Sequence, residues 1–398
     1  MRQNADMSPV ITNIGIRGYR IVSTEQKETI RVLVEPEREP TRCPCCAGGR
    51  LRSKGRYERR VRHSDCFWQQ TTIVVRCRRL RCLDCGRTFV PPLPGIRPWR
   101  QSSEPYRRWL FELHHAGICA STLAQMQRVG AATINRVYAQ FTRLKAAERI
   151  SRLCPRVLGI DEHSLHRAGS MVTTFCDLKR HRVFDVVQGR SESDLRSFLK
   201  SLKGKEKVAV VCIDLSSPYR KMIRAHFPNA RIVADRFHVV RIIYQHMLSL
   251  ARAIAPDLKH HRGYLACLRK RPEELSQKQK QRLADLFSRH PALQPLYEQM
   301  HRLRNLINAK HCSKSTCRHL ARQFLWQIDQ LQRSRLPDLQ RLAQTLQLWS
   351  EPIACMWRFS RSNAITEGFH RKMKLIQRRA YGFRNFDNYR LRVIAQCG

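Results

Sequence analysis

The sequence predicts a multidomain α/β protein with a small cysteine-rich module toward its N-terminal end. Three observations lead to this prediction: cysteines cluster before residue 95, apolar strands alternate with helical patterns between residues 155 and 254, and a long helical stretch follows them. The chain has 398 residues, which is enough for about two or three domains.

Charge and composition indicate a polyanionic partner. Lysine and arginine number 75 against 31 aspartate and glutamate, which leaves a formal net charge of +44. Hydrophobic residues make up 42% of the chain, so the sequence is not a disordered basic tail. Nucleic acid is the first candidate for the partner of such a protein.

Neither secretion nor a membrane span is expected. No stretch approaches the roughly 20 apolar residues that cross a bilayer, and the first residues do not resemble a signal peptide. The 16 cysteines are spread over a long chain, several of them within apolar runs, which suits a reducing compartment better than a disulfide scaffold. We therefore expect a cytoplasmic protein.

Residues 1–40 and 41–95 form the first two predicted pieces. In the first, apolar alternation predicts a strand at 30–34, and a charged segment with prolines at 35–40 predicts a linker. In the second, two Cys-x-x-Cys pairs have the spacing of a tetrahedral structural zinc site. The four cysteines are Cys43, Cys46, Cys82 and Cys85, with Cys45 as an alternative to Cys46. The residues between the pairs suit a zinc ribbon with a β-hairpin.

Residues 100–150 predict a helix-turn-helix. Two segments with helical apolar spacing flank Gly130, and the second runs from 131 to 144. An ordinary helical hairpin explains this pattern equally well, but the basic context favours a DNA-binding helix-turn-helix. Its second helix would read bases through Thr133, Asn135 and Arg136.

Three further pieces complete the chain. Residues 155–254 show the order three strands, helix, strand, helix, strand, helix, and their fully apolar strands imply a sheet covered on both faces. Residues 255–350 show helical periodicity and no strand signal. Residues 351–398 contain a predicted helix around Glu367 and an arginine-rich end.

Two aspartates each follow an apolar strand. The carboxyl ends of strands in open α/β sheets are where ligands bind, and Asp161 and Asp214 are both placed there. Acids after strands are also common turn and cap residues. In a chain this basic, however, paired acids indicate bound cations, and two Mg²⁺ ions can activate the attacking oxygen and stabilise the leaving oxygen of a phosphodiester.

Five short motifs after residue 155 extend this interpretation. They are Gly-Ile-Asp-Glu at 159–162, Ile-Asp at 213–214, Ala-Asp-Arg-Phe-His-Val-Val at 234–240, Ser-Asn-Ala-Ile-Thr-Glu-Gly at 362–368 and Tyr-Gly-Phe-Arg-Asn at 381–385. Together they resemble the bacterial insertion-sequence transposases of the ISL3 family, and the resemblance covers nearly the whole chain. It implies an RNase H-like catalytic core that is interrupted by an all-helical insertion.

The resemblance also implies the residues of the site. Asp161, Asp214 and Glu367 would be the Asp-Asp-Glu (DDE) ligands of Mg²⁺ or Mn²⁺. Asp235 and His238 form an Asp-x-x-His element, and Asp235 is the alternative to Asp214 as the second ligand. His238 would either contact the scissile region or orient Asp235.

Two basic clusters are predicted phosphate contacts. Arg76, Arg78, Arg79 and Arg81 lie beside the second cysteine pair, and Arg371, Lys372, Lys374, Arg378 and Arg379 follow Glu367. Such clusters can be ordinary solvated faces, but here they flank predicted DNA-binding modules.

The predicted function is that of a transposase. It would bind the terminal sequences of a mobile element, hydrolyse a phosphodiester there, and join the freed 3′-hydroxyl to double-stranded target DNA. The resemblance further implies a homodimer or larger assembly at the bacterial nucleoid. The alternative is a catalytically silent DNA-binding regulator of the same ancestry, and a weaker one is a structure-specific nuclease without strand transfer.

Overall fold

The computed structural model describes residues 11–165, 169–359 and 364–398. Contacts divide the chain into two units, Met1–Lys145 and Ala146–Gly398, and each unit has its own β-sheet. Among the described residues, no helix has the length and apolarity to cross a membrane.

The sheet of the first unit has five described strands. They are β1 (Tyr19–Gln26), β2 (Ile30–Pro36), β3 (Leu51–Cys66), β4 (Gln69–Cys82) and β5 (Thr88–Phe89). The order is β1-β2-β4-β3, with β5 paired to β4; β2 and β4 are parallel and the other pairs are antiparallel. Alternate residues of β2, namely Ile30, Val32 and Val34, are fully buried, which confirms the strand predicted at 30–34.

The boundary predicted at residue 40 does not separate two modules. β2 continues to Pro36 and pairs with β4, so the first strands and the cysteine module share one sheet. Pro36 is tolerated because it stands at the end of its strand, where a missing N–H costs little. Sequence reasoning also missed β1, whose polar residues and exposed positions give little apolar alternation. The hairpin predicted between the cysteine pairs is formed by β3 and β4.

Three helices follow in the chain: α1 (Glu104–Ala116), α2 (Ala120–Gln127) and α3 (Ala131–Arg149). Ser103 caps α1 by accepting a hydrogen bond from the backbone N–H of Tyr106. Leu110, Leu123 and Ile134, one from each helix, are buried in a shared apolar core. The segment between residues 100 and 150 is thus helical, with Gly130 directly before α3.

The sheet of the second unit also has five described strands. They are β6 (Val157–Ser164), β7 (Met171–Asp177), β8 (Arg182–Gln188), β9 (Val210–Ile213) and β10 (Arg231–Ala234). The order is β10-β9-β6-β7-β8. β6, β7 and β8 are antiparallel neighbours, whereas β9 and β10 run parallel to β6. The carboxyl ends of β6, β9 and β10 therefore point toward one edge of the sheet.

The described helices of the second unit alternate with these strands and then follow them. They are α4 (Glu192–Ser201), α5 (Ser217–His226), α6 (Arg236–Ile254), α7 (Arg262–Arg269), α8 (Gln277–Arg289), α9 (Leu293–Asn308), α10 (Lys314–Arg333), α11 (Pro337–Leu348), α12 (Ser350–Arg358), α13 (Ala364–Arg379) and α14 (Phe386–Cys397). Residues 255–350 contain helices and turns and no strand, as the periodicity predicts. Leu303, Phe324 and Leu342 of this stretch are buried, each on an apolar helix face.

Helices cover both faces of the second sheet, which the apolar strands predict. Phe175 of β7 packs on Phe198 of α4, with 4.8 Å between ring centroids. The preceding residue, Thr174, is hydrogen-bonded to His370 of α13 at 3.1 Å. Because neighbouring residues of a strand face opposite ways, α4 and α13 lie on opposite faces.

Two details of the second unit differ from the sequence prediction. β9 begins at Val210 rather than at 208, because a 3₁₀ turn at Lys205–Lys207 precedes it. The helix α14 was not predicted as such, since the arginines of this segment obscure its apolar face. Its signals are present in the sequence: Asn385 caps the helix, and Tyr389 and Val393 are buried four residues apart.

Candidate functional site

Three aspartates meet at the carboxyl edge of the second sheet. Asp214 directly follows β9, and Asp235 directly follows β10. Asp161 lies in β6, two residues beyond Gly159, where the pairing of β6 with β9 ends. All three line one cavity of about 420 Å³.

The prediction that Asp161 comes after its strand is wrong. β6 continues to Ser164 because its antiparallel pairing with β7 persists, with Asp161 opposite Thr174. On the other side β9 has already ended, so β6 extends past it. This offset places Asp161 within the strand and still at the cavity.

His238, near the start of α6, bridges two of the carboxylates. Its Nδ1 atom lies 2.8 Å from Asp214 Oδ1 and 2.6 Å from Asp235 Oδ2. Burial by itself would lower the pKa of this imidazole, but the neighbouring carboxylates of Asp214 and Asp235 raise the pKa to about 9, and Nδ1–H donates its hydrogen bond to Asp235. The charged imidazole therefore offsets part of the negative charge between the two acids at neutral pH.

The surroundings of Asp161 raise the pKa of its carboxyl group. Burial, and after it the charge of Asp214, raise the pKa of Asp161 to about 7. Its Oδ1 accepts a hydrogen bond from the backbone N–H of Glu162 at 2.8 Å, and its Oδ2 lies 3.5 Å from Nδ1 of His370. The carboxyl group of Asp161 is therefore costly to ionise, mainly because it is buried and also because Asp214 lies near it.

Glu367 lies in the first turn of α13 and borders the same cavity. α13 packs against β6 and β7, which brings Glu367 to this edge although it comes 153 positions after Asp214. Its carboxylate accepts a hydrogen bond from Arg371, one helical turn later, at 2.9 Å. Ser362 and Asn363, the first residues of the motif at 362–368, lie outside the described residues.

The four predicted zinc ligands come together in the first unit. The Sγ atoms of Cys43 and Cys85 are 3.7 Å apart, those of Cys46 and Cys82 are 3.6 Å apart, and all four lie within 4.8 Å of one another. Tetrahedral zinc with Zn–S bonds of about 2.3 Å would separate its sulfur ligands by about 3.8 Å. The cluster therefore has the dimensions of a zinc site.

Cys46, rather than the alternative Cys45, belongs to this cluster. The backbone N–H groups of Cys46 and Cys45 lower the pKa of the Cys43 thiol to about 7. A lower pKa favours the thiolate, which is the form that binds a metal.

Two family models match this chain, over ranges that include the carboxylates and the four cysteines respectively. A transposase family model of the ISL3 type matches residues 158–393, which is more than half of the chain. The chain belongs to the ISL3 family of transposases. A second model, described as the zinc-finger of transposase IS204/IS1001/IS1096/IS1165, matches residues 39–85 of this ISL3-family chain and contains all four clustered cysteines. A zinc ribbon with four converging cysteines indicates structural zinc.

Curated relatives of this ISL3-family chain are described as transposases of insertion sequence elements. The transposase for insertion sequence element IS1001 of Bordetella parapertussis is 26% identical over 404 residues, covering 96% of this chain and 96% of that protein. The transposase for insertion sequence element IS1557 of Mycobacterium tuberculosis, from two strains, is 25% identical over 300 residues, covering 67% of this chain and 66% of that protein. The family resemblance drawn from the motifs is thereby confirmed.

Of the four arginines on β4 that were predicted as phosphate contacts, two are ion-paired and the other two are exposed. Arg76 is paired with Glu35 at 3.0 Å, and Arg78 is paired with Glu39. Arg79 and Arg81 are exposed. Part of the positive charge of this cluster is therefore already offset by acidic residues at the end of β2 and shortly after it.

The other predicted DNA contacts of the ISL3-family chain lie on two helices. Asn135 and Arg136 are exposed and Thr133 is half-buried near the start of α3, where Arg136 donates a hydrogen bond to Thr133 at 3.1 Å. On α13 the five predicted contacts are all exposed, namely Arg371, Lys372, Lys374, Arg378 and Arg379. Lys372 also donates a hydrogen bond to the carbonyl oxygen of Gln396 at 2.7 Å.

Sequence reasoning missed a buried polar chain behind Asp161. His370 Nε2 lies 3.1 Å from Thr174 Oγ1, His163 Nδ1 lies 3.1 Å from the same oxygen, and His163 Nε2 lies 2.7 Å from the hydroxyl of Tyr389. The chain links β6, β7, α13 and α14 and ends at Asp161 through His370. The spacing of Glu367 and His370, three residues apart in one helix, is the signal that could have found it.

Proposed function

We propose that this chain is the transposase of an insertion sequence, which binds the ends of its element and carries out metal-dependent hydrolysis and strand transfer on double-stranded DNA. The observation that carries the proposal is that Asp161, Asp214 and Glu367, distant in the chain, border one cavity at the carboxyl edge of a sheet. Membership of the ISL3 family and the net charge of +44 support it.

The catalytic unit is proposed to be RNase H-like. Support comes from the strand order β10-β9-β6-β7-β8, with three antiparallel strands followed by two parallel ones. Residues 255–350 then form an all-helical insertion between this sheet and α13. In the first unit, α2 and α3 are proposed as a helix-turn-helix whose second helix lies in the major groove.

Asp161, Asp214 and Glu367 would hold Mg²⁺ or Mn²⁺. Their donor atoms are carboxylate oxygens, which both ions accept. Burial, and after it the charge of Asp214, raise the pKa of Asp161, and a bound cation would offset the second of these effects. When bound, such ions supply activation of the attacking oxygen and stabilisation of charge on the leaving oxygen. Asp235 is proposed as a neighbour that, with His238, orients Asp214.

The residues around the carboxylates would position the DNA strand. Arg241 of α6 lines the cavity and is exposed, so its guanidinium would contact a phosphate beside the scissile one. His238 holds Asp214 and Asp235 at fixed distances, and His370 lies against Asp161. Water attacks the phosphorus at the element end, the P–O3′ bond breaks, and the freed 3′-hydroxyl then attacks a target phosphodiester.

The zinc ribbon is proposed to be structural and to support binding of the element ends. Zinc at the four cysteines would join the end of β4 to the segment that precedes β3.

The active form is proposed to be a dimer or larger assembly at the nucleoid. Analytical ultracentrifugation with and without end DNA tests the assembly. A single chain that completes strand transfer would contradict it.

Incubation with DNA that carries the boundaries of the element tests the proposed function. The purified chain is expected to cut at the element end in Mg²⁺ and not in buffer without Mg²⁺ or Mn²⁺. Asp161→Asn and Glu367→Gln should each abolish cutting and leave end binding nearly unchanged, whereas Glu192→Gln, an exposed acid of α4, should behave like the unmodified chain.

The results separate the alternatives. End binding without cutting by the unmodified chain would favour the silent regulator. Cutting without joining of pre-cleaved ends to a target would favour the structure-specific nuclease. Normal cutting by Asp161→Asn in Mg²⁺ would remove the basis of the metal-site assignment.

A further inference from the structure

A groove in the first unit concentrates arginine side chains. It has a volume of about 650 Å³, and its lining residues are Arg97, Arg100, Arg107, Arg136, Ala139, Gln140, Arg143 and Leu144. Five of these eight are arginines and none is acidic. The arginines come from the turn before α1, from α1 itself and from one face of α3, so the tertiary structure assembles the cluster from three separate segments.

Nearby acids compensate little of this charge. Glu104 lies 3.2 Å from Arg97 and 3.7 Å from Arg107, so a single carboxylate serves two guanidinium groups. Within the described ranges, no ion pair is found for Arg100, Arg136 or Arg143. Like charges held this close repel one another unless an anion lies between them.

Arg107 is the buried member of the cluster. Only 4% of the residue is exposed, and one of its Nη atoms donates a hydrogen bond to Gln140 at 2.5 Å, while its Nε has no hydrogen-bond partner among the described residues. Burial, and after it the charge of Arg100, lower the pKa of Arg107. A buried guanidinium with an unused donor is costly unless a ligand or a water completes its hydrogen bonds.

A tight turn at the rim holds an exposed tryptophan. Arg100 N–H donates to the carbonyl oxygen of Arg97 at 3.3 Å, with Pro98 and Trp99 in the central positions. Trp99 has φ of 61°, a conformation that type II turns normally give to glycine or asparagine, and it is 98% exposed. A large aromatic side chain in such a position is unfavourable in the free protein and suits contact with a partner.

The turn is fixed in place by the sheet. Arg59 of β3 donates hydrogen bonds to the carbonyl oxygens of Arg97 and Arg100, at 2.7 and 2.6 Å. Trp99 and the two flanking arginines are therefore presented by a rigid support rather than by a free loop. Preorganisation of this kind reduces the entropy that binding would otherwise cost.

We propose that this arginine groove binds the phosphate backbone of duplex DNA, with Trp99 packed against a sugar or base edge at its rim. The proposal rests on the proposed function only for the identity of the ligand, since a transposase must hold its DNA substrate. Arg136 of the predicted helix-turn-helix would then act together with Arg97, Arg100, Arg107 and Arg143, which sequence reasoning did not assign.

Binding of the full chain to a labelled mixed-sequence duplex, without Mg²⁺ and over a range of salt concentrations, tests the groove. The double substitution Arg100→Gln with Arg143→Gln removes two exposed groove charges. If each contacts one phosphate, the log–log salt slope should fall by about 1.8, and the affinity near 0.1 M salt should fall roughly 10- to 60-fold. The matched control is Arg20→Gln with Arg31→Gln, two exposed arginines on β1 and β2, which should leave the slope unchanged.

Tryptophan quenching gives a second measurement. Iodide should quench Trp99 strongly in the free chain, and duplex DNA should protect it. This protection should disappear in Trp99→Phe and persist in Trp68→Phe, which removes another fully exposed tryptophan at the β3–β4 turn. Protection that persists in Trp99→Phe overturns the aromatic contact.

The outcomes distinguish this proposal from the proposed function. A groove variant with the slope and affinity of the control overturns the groove, whatever the cutting activity of the chain. Groove-dependent binding by a chain that does not cut DNA in Mg²⁺ supports the groove and overturns the transposase activity. Competition by polyglutamate as effective as competition by DNA of equal charge would indicate an acidic protein partner and overturn the DNA assignment.

Discussion

The Nδ1 atom of His238 lies 2.8 Å from the carboxylate of Asp214. The same nitrogen reaches Asp235, so one cation holds together two acids that follow neighbouring parallel strands. The structure thus joins the two candidates for the second metal ligand through the histidine of the Asp-x-x-His element. It also explains how such a concentration of acids persists in a folded chain.

His238→Ala should destabilise the Mg²⁺-free chain because it removes the charged imidazole that lies between Asp214 and Asp235. We expect a loss of about 2–4 kcal/mol in the free energy of unfolding, with partial recovery in Mg²⁺, since a divalent ion can replace the lost charge. Chemical denaturation without and with Mg²⁺ measures both effects. His260→Ala, at an exposed histidine before α7, is the control. Equal stability of the two variants without Mg²⁺ would contradict the bridging role.

His370→Ala should impair cutting without weakening DNA binding. The imidazole lies against Asp161 and is held by Thr174, so its loss should free Asp161 to adopt unproductive positions. We expect a 10- to 100-fold lower turnover and a higher Mg²⁺ concentration for half-maximal activity. His370→Gln retains a hydrogen-bonding side chain and should recover part of the rate. A reduced rate with an unchanged Mg²⁺ requirement would indicate a purely structural role.

Cys43→Ser with Cys82→Ser should remove zinc from the chain and lower its stability and its affinity for end DNA. Each substitution takes one sulfur from the cluster of four, and two remaining thiolates hold zinc poorly. Cys45→Ser is the matched control, because Cys45 is exposed and lies outside the cluster. Metal analysis by mass spectrometry should find about one zinc per chain in the control. Retention of zinc by the double variant would exclude these ligands.

The first unit should lose stability as the pH falls below about 6.5, which is the ordinary pKa of a histidine side chain. The reason is that His63 is buried in its neutral form. Its Nε2–H donates to the carbonyl oxygen of Ile14 at 2.9 Å, and its Nδ1 lies 2.7 Å from Ser103 Oγ. Burial lowers the pKa of His63 in the folded chain. Below about pH 6.5, His63 therefore binds a proton more readily in the unfolded chain than in the folded chain. The stabilisation is therefore complete above about 6.5 and is lost in acid, by at most about 1.4 kcal/mol per pH unit.

Urea denaturation over a series of pH values measures this dependence. His63→Gln removes the titrating group and should flatten the curve on its acid side, at the expense of some stability at neutral pH. His181→Gln, an exposed histidine of the β7–β8 turn, should retain the dependence of the unmodified chain. A curve for His63→Gln that still falls steeply in acid would assign the effect to another group.

Much of the fold was readable from local patterns. Some local patterns follow directly from which residues are buried. They are the alternation in β2, the apolar runs of β7, β8 and β10, and the apolar helix faces between 255 and 350. These elements were therefore predicted with boundaries close to the observed ones. β1 was missed because its residues show little apolar alternation, and α14 was missed because its arginines obscure the apolar face. The boundary at residue 40 failed for another reason, since the pairing of β2 with β4 is not encoded in either segment alone.

The sequence by itself determined the family of this protein, through its motifs, and predicted a zinc module and a polyanionic partner. These inferences depend on residue types, net charge and short separations, all of which can be read directly from the sequence. Only the tertiary structure decided which groups meet: Cys46 rather than Cys45 at the metal cluster, His238 between Asp214 and Asp235, His370 behind Asp161, and five arginines around one groove. These contacts arise from strand offsets and helix packing between segments far apart in the chain, and no local pattern specifies such distances.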